Sequence, residues 1–113
     1  MKKLIGIHFL LQDRGGLLRN SFLVCYDISN PKRLRKVYRK MRGFGDHLQL
    51  SVFRCTLSDQ EKVMLKMELS KIINHKEDKV MLVDIGPQQG RAKAVFDFLG
   101  RKSKIEEQEA VIV

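Results

Sequence analysis

The sequence predicts an α+β domain of order β-α-β-β-α-β, one antiparallel sheet with both helices on a single face. Three observations carry this. The run Phe22-Leu23-Val24-Cys25-Tyr26, ending on the carboxylate of Asp27, has the apolar density of a strand. Asn30-Pro31 then opens a helix, and Leu34, Val37, Tyr38 and Met41 recur at i, i+3, i+4 and i+7 as one core-facing stripe. Ser58-Asp59-Gln60-Glu61 has the spacing of a capping box and opens a second helix.

At 113 residues the chain fits one domain, and its 43% hydrophobic content supports one modest core. The formal charge of +9 points to polyanionic partners. That charge is concentrated. Lys32, Arg33, Arg35, Lys36, Arg39, Lys40 and Arg42 supply seven of the 22 basic residues with no acid among them. Cys25 and Cys55 form no CxxC pair and read as buried, reduced thiols. His8, His47 and His75 offer too few ligands at these spacings for zinc. No run is long enough to span a membrane. Leu4 to Leu11 after Lys2-Lys3 loosely resembles a secretion signal, but His8 interrupts it and no small-residue cleavage site follows. A cytoplasmic location is therefore expected.

Residues 1–20 are read as an N-terminal extension, with Ile5, Ile7 and Phe9 alternating before Gly15-Gly16, and residues 21–113 as the domain. Along the first strand Phe22, Val24 and Tyr26 face one side and Leu23, Cys25 and Asp27 the other. Both sides are apolar until Asp27, which suggests a doubly covered central strand with the acid at its buried end. Gly43 and Gly45 suit the stop of the first helix. Asp46 to Leu57 is too long for one strand and is read as two, meeting at a bend near Ser51 to Arg54. The second helix carries Leu65, Leu69, Ile72 and Ile73 to the core, widened by Val63, Met64 and Met67, and ends at Asn74-His75-Lys76. Val80 to Ile85 is the fourth strand, broken at Gly86-Pro87. Ala92 to Leu99 reads as a further strand or a short helix, followed by a polar linker. The apolar tail Ala110-Val111-Ile112-Val113 should pair with a sheet edge, a partner's included. This order is the ferredoxin-like arrangement, whose uncovered sheet face favours a homodimer.

An acid at the end of an apolar strand needs a cation, a proton or a metal. Mg²⁺ binds through one or two carboxylates, waters and phosphate oxygens, so Asp27 is the candidate metal ligand and catalytic residue, with its two-fold copy as second ligand. A structural acid that caps the turn or pairs with a lysine is the plain alternative. Seven like charges on one helix point to polynucleotide backbone, with Arg33, Arg35, Lys36 and Arg39 as contacts. His47 could reach phosphate or be a solvated loop residue. Phe53 and Phe44 could stack on bases or pack in the core, and Tyr26 is read as core with its hydroxyl near Asp27.

Tyr26-Asp27-Ile28, the Arg33-Leu34-Arg35-Lys36-Val37 helix, Gly45 and Gln49-Leu50-Ser51-Val52-Phe53 resemble the CRISPR-associated Cas-two family. The ending, Leu99-Gly100-Arg101-Lys102 with Glu106-Glu107 before Val111-Ile112-Val113, is similar too. The resemblance covers roughly residues 21–113 and implies a homodimer whose C-terminal strand joins the partner's sheet. It implies spacer acquisition on double-stranded DNA between dimers of the Cas-one integrase, and a Mg²⁺-dependent endonuclease activity on RNA, single-stranded RNA included, or DNA. Tyr26 and Asp27 match the family's first motif, with Asp27 as metal ligand, and Ser51 and Phe53 match its second. Many members carry arginine where this chain has His47, and residues 1–20 lie outside the pattern. Two rival readings stand: a toxin-type metal-dependent endoribonuclease, and a ferredoxin-like module that binds a small regulatory ligand. The basic helix argues against the second rival.

Overall fold

A computed structural model describes residues 18–87 and 96–101. The elements are β1 (Asn20–Asp27), α1 (Pro31–Arg42), β2 (Gly45–Gln49), β3 (Val52–Leu57), α2 (Asp59–Ser70) and β4 (Lys79–Pro87). They form a four-stranded antiparallel sheet of order β2-β3-β1-β4, the ferredoxin-like arrangement the sequence predicts. Alternation divides β1 between the two faces. Phe22, Val24 and Tyr26 are buried with Phe53, Cys55 and Leu57 of β3, Val37 and Met41 of α1, and Leu65 and Leu69 of α2. Both helices therefore cover one face, and their stripes and that face make a single core.

The caps form as their residues dictate. Asn30 Oδ1 accepts from the backbone N–H of Lys32 (2.9 Å) and Arg33 (3.1 Å), with Pro31 at the first helical position. Ser58 Oγ accepts from Glu61 N–H while Ser58 N–H donates to Glu61 Oε1 at 2.8 Å, the reciprocal box expected from the spacing. Lys40 crosses to Glu68 of α2 at 3.1 Å and ties the two helices together.

Several expectations need correction. β1 is central, with both helices on one face; on the other, Leu23 and Cys25 are half-buried, Asp27 is exposed, and Phe96 lies against the Arg54 guanidinium, 5.3 Å from it to the ring centroid. The turn between β2 and β3 falls at Leu50-Ser51, slightly earlier than the predicted bend. Only Gly43 caps α1, with its N–H bonded to Lys40 and Met41 carbonyls. Gly45 lies inside β2 opposite Cys55, for a packing reason taken up below. α2 ends at Ser70, and the N–H groups of Ile72 and Ile73 close its last turn on Leu69 O. Val63 and Met67 are exposed rather than part of the core. β4 runs through Gly86-Pro87 because a bulge at Ile85 absorbs the break, with Gly86 at φ 103° where only glycine sits without strain. Residues 96–99 have no regular structure. The readings of 1–17, 88–95 and 102–113, including the N-terminal strand and the C-terminal tail, lie outside the described residues.

Both cysteines are free. Burial, with a smaller push from Asp46, raises the Cys55 thiol to about 12, so it stays protonated and inert. Among the described residues no helix is long and apolar enough to cross a membrane.

Candidate functional site

α1 presents its charge in two ways. Lys32, Arg35, Lys36 and Arg39 fall at i, i+3, i+4 and i+7, are all exposed, and pair with no acid among the described residues. They form one outward row because Val37 and Met41, on the opposite stripe, are fully buried. Arg33, expected as a backbone contact, is also engaged in the fold. Its Nε donates to Asp78 Oδ2 at 2.7 Å and its Nη2 to Glu77 Oε1 at 3.1 Å. The guanidinium reaches Ser29 Oγ as well, at 3.2 Å.

Asp78 is the centre of that network, and sequence reasoning passed over it. Its side chain is fully buried and also accepts from the backbone N–H of Ser29 (3.0 Å) and Asn74 (2.8 Å). One carboxylate thus joins the loop after β1, the start of α1 and the loop before β4. The Arg33 hydrogen bond, reinforced by those two N–H groups and opposed by burial, holds its carboxyl well below the usual carboxylate range. Asp84 is lowered too, by the N–H of Gly86 and then by Asn20. A carboxyl whose folded value is depressed adds stability fully present above its ordinary value of 3.8 and lost as pH falls below it. The thermal midpoint should therefore drop between about pH 5 and about pH 2, and Asp78→Asn, starting from a lower midpoint, should show a shallower drop. Melting curves across that range check this; a wild-type midpoint independent of pH would contradict it.

Asp27 ends β1 on the face away from the helices, the side of Cys25 and Leu23, and its register partner is Lys79 of β4. It is exposed, and its carboxylate makes no hydrogen bond or ion pair with another described residue. That exposure removes the compulsion expected of a buried acid. Among the described residues no three His, Cys, Asp or Glu side chains gather as a metal cluster. An accessible carboxylate with free oxygens still suits Mg²⁺, which keeps waters and phosphate oxygens beside one or two carboxylates. Asp27 is the residue here that would hold it.

The remaining candidates collect on the other face. Tyr26 is buried, 6.2 Å from Phe53 ring to ring, and its hydroxyl donates to Leu50 O at 3.5 Å rather than turning toward Asp27. Neighbouring strand residues point to opposite faces, which is why this pair separates. Burial raises the Tyr26 phenol, and Tyr38 adds to the rise. Phe53 is fully buried, so it is a core residue. His47 is exposed, with its ring 4.9 Å from Phe53 and 5.2 Å from Tyr38, and its Nε2 lies 3.4 Å from Leu50 O. Ser51 contributes through its backbone, its carbonyl accepting from Tyr26 N–H at 3.0 Å. Tyr26, His47, Ser51 and Phe53 thus brace the β2–β3 turn. Phe44 is half-buried against the core.

Comparison with known proteins agrees with this geometry. The family model of CRISPR associated protein Cas2 matches residues 20–93. The CRISPR-associated endoribonuclease Cas2 1 of Rhodospirillum rubrum is 35% identical over 94 residues, spanning 83% of this chain and 91% of its own. The CRISPR-associated endoribonuclease Cas2 2 of Thermodesulfovibrio yellowstonii is 48% identical over 65 residues, 58% of this chain and 71% of its own. The crystal structure of Cas2 from Streptococcus pyogenes superposes with a TM-score of 0.61 at 31% identity, covering 71% of this chain and 99% of that one. On a family match over well over half its length, a relative aligned nearly end to end and a shared fold, the chain belongs to the CRISPR-associated protein Cas2 family.

Proposed function

We propose that this chain is a CRISPR adaptation protein that, as a homodimer, holds double-stranded DNA along α1 and bridges dimers of the Cas-one integrase. Asp27 of each chain then serves a Mg²⁺-dependent endonuclease site. The observation that carries the reading is the row Lys32, Arg35, Lys36 and Arg39, exposed and without an acidic partner among the described residues. Such a row meets phosphates spaced along a duplex, and contacts of that kind are independent of base sequence. The sheet face away from the helices supports the dimer. Met81 is 53% exposed there and Val83 37%, beside half-buried Leu23 and Cys25. Joining two chains by these faces brings both Asp27 carboxylates to the junction and leaves both α1 rows on the outside.

Hydrolysis would proceed by attack of water on phosphorus, with cleavage of one P–O ester bond and transfer of a proton to the leaving oxygen. Mg²⁺, when bound, supplies Lewis-acid polarisation of the phosphate and a more acidic water. Asp27 would hold the ion, and α1 would position the backbone.

Stand-alone RNA cleavage is the second reading, favoured by the endoribonuclease activity in the relatives' names. Cleavage of RNA and of duplex DNA, with Mg²⁺ and with chelator, separates the two when run beside spacer integration with the Cas-one partner. Asp27→Ala should lower any cleavage by about 100-fold or more while leaving integration and dimerisation intact. Loss of integration in a folded, dimeric Asp27→Ala protein would make catalysis essential and overturn the scaffold role.

A further inference from the structure

We infer that Lys79 is a phosphate-binding residue of the Asp27 site, taking a nonbridging oxygen of the polynucleotide backbone beside the carboxylate. This rests on the reading of Asp27 as a phosphodiester site. The register of the sheet puts Lys79 directly opposite Asp27, the first residue of β4 against the last of β1. Cross-strand partners in an antiparallel pair share a face and stand about 5 Å apart at Cβ. Both side chains are exposed, and no ion pair within 4 Å joins Lys79 to Asp27 or to any other described acid.

A cation and an acid so placed, each unspent, make a composite site. The acid alone repels a phosphodiester. An adjacent ammonium offsets that repulsion and binds the anion as a flexible point charge. A solvated surface lysine would need no particular register. Lys79 has one that is fixed from behind by Asp78. That neighbouring carboxylate is buried under Ser29 N–H, Asn74 N–H and Arg33, so the entry of β4 cannot slide relative to the end of β1. Within β4, Lys79 alternates with Val80 and so shares the Asp27 face with Met81 and Val83, the register partners of Cys25 and Leu23.

Cleavage of labelled RNA and duplex DNA in Mg²⁺ by the full chain, Lys79→Ala, Lys79→Arg and Asp27→Ala tests this. Lys79→Ala should cleave about 10- to 100-fold more slowly, and Lys79→Arg should recover to within about 3-fold, with unchanged melting temperatures. A Lys79→Ala protein that cleaves at the wild-type rate overturns the inference. If the wild type cleaves neither substrate, the hydrolytic reading of Asp27 fails on its own, and duplex affinity across salt then decides Lys79. One lost phosphate contact lowers the slope of log affinity against log salt by about 0.9. Lys79→Ala should show that loss, while Lys66→Ala, an exposed lysine on α2, should not. Equal slopes for wild type and Lys79→Ala overturn the inference.

Discussion

Replacing Arg35, Lys36 and Arg39 together with glutamine should weaken duplex-DNA binding about 100-fold near physiological salt. The magnitude follows from counterion release, in which each phosphate contact changes the logarithm of affinity by about 0.9 per tenfold in salt. Three contacts between about 0.15 M and a 1 M reference then contribute about two decades. The fold should survive, because these side chains face solvent and pair with no described acid, while Val37 and Met41 keep the helix in the core. Arg33→Gln should behave differently. It breaks the bonds to Asp78 and Glu77, so its main effect should be a lower melting temperature. Fluorescence-anisotropy titrations and melting curves on the same samples separate the two effects.

Gly45→Ala should be the most damaging conservative change in the sheet. A methyl group on Gly45 would lie 2.6 Å from Cys55 Sγ and closer still to the Arg54 carbonyl oxygen. The oxygen belongs to backbone and Cys55 is fully buried in the core, so neither can move aside cheaply. Overpacking of this kind costs about 1 to 3 kcal/mol. A domain of this size loses about 4 to 8 °C of midpoint for each kcal/mol, so a fall on the order of 10 °C should be measured. The Gly45→Ala, Cys55→Ala double variant should recover little, because the Arg54 carbonyl clash persists.

The parts of the fold that were legible in the sequence are those fixed by local chemistry. The Asn30 cap and the Ser58–Glu61 box need only backbone N–H groups one turn away. The α1 stripe and its charged back follow from helical spacing. What escaped was set by contacts distant in sequence. Gly45 read as a helix stop because its neighbour across the sheet, Cys55, is visible only once β2 and β3 pair. Arg33 read as one more cation because Asp78 lies 45 residues away. The burial of Asp27 was overestimated because an apolar strand can be covered on one face or two, and alternation does not tell which. The pairing of Asp27 with Lys79 was within reach, since in this topology the last strand runs antiparallel to the first, but its register depends on the Ile85 bulge and the Asp78 anchor.

The central claim is that the outer row of α1 grips a polynucleotide backbone. Affinity of the unmodified protein for a short duplex, measured between about 50 and 500 mM salt, tests it most directly. Four cations per chain at about 0.9 each give an expected slope of log affinity against log salt of about −3 or steeper, the same for duplexes of unrelated sequence. A slope near zero, or affinity that follows base sequence rather than salt, would contradict it.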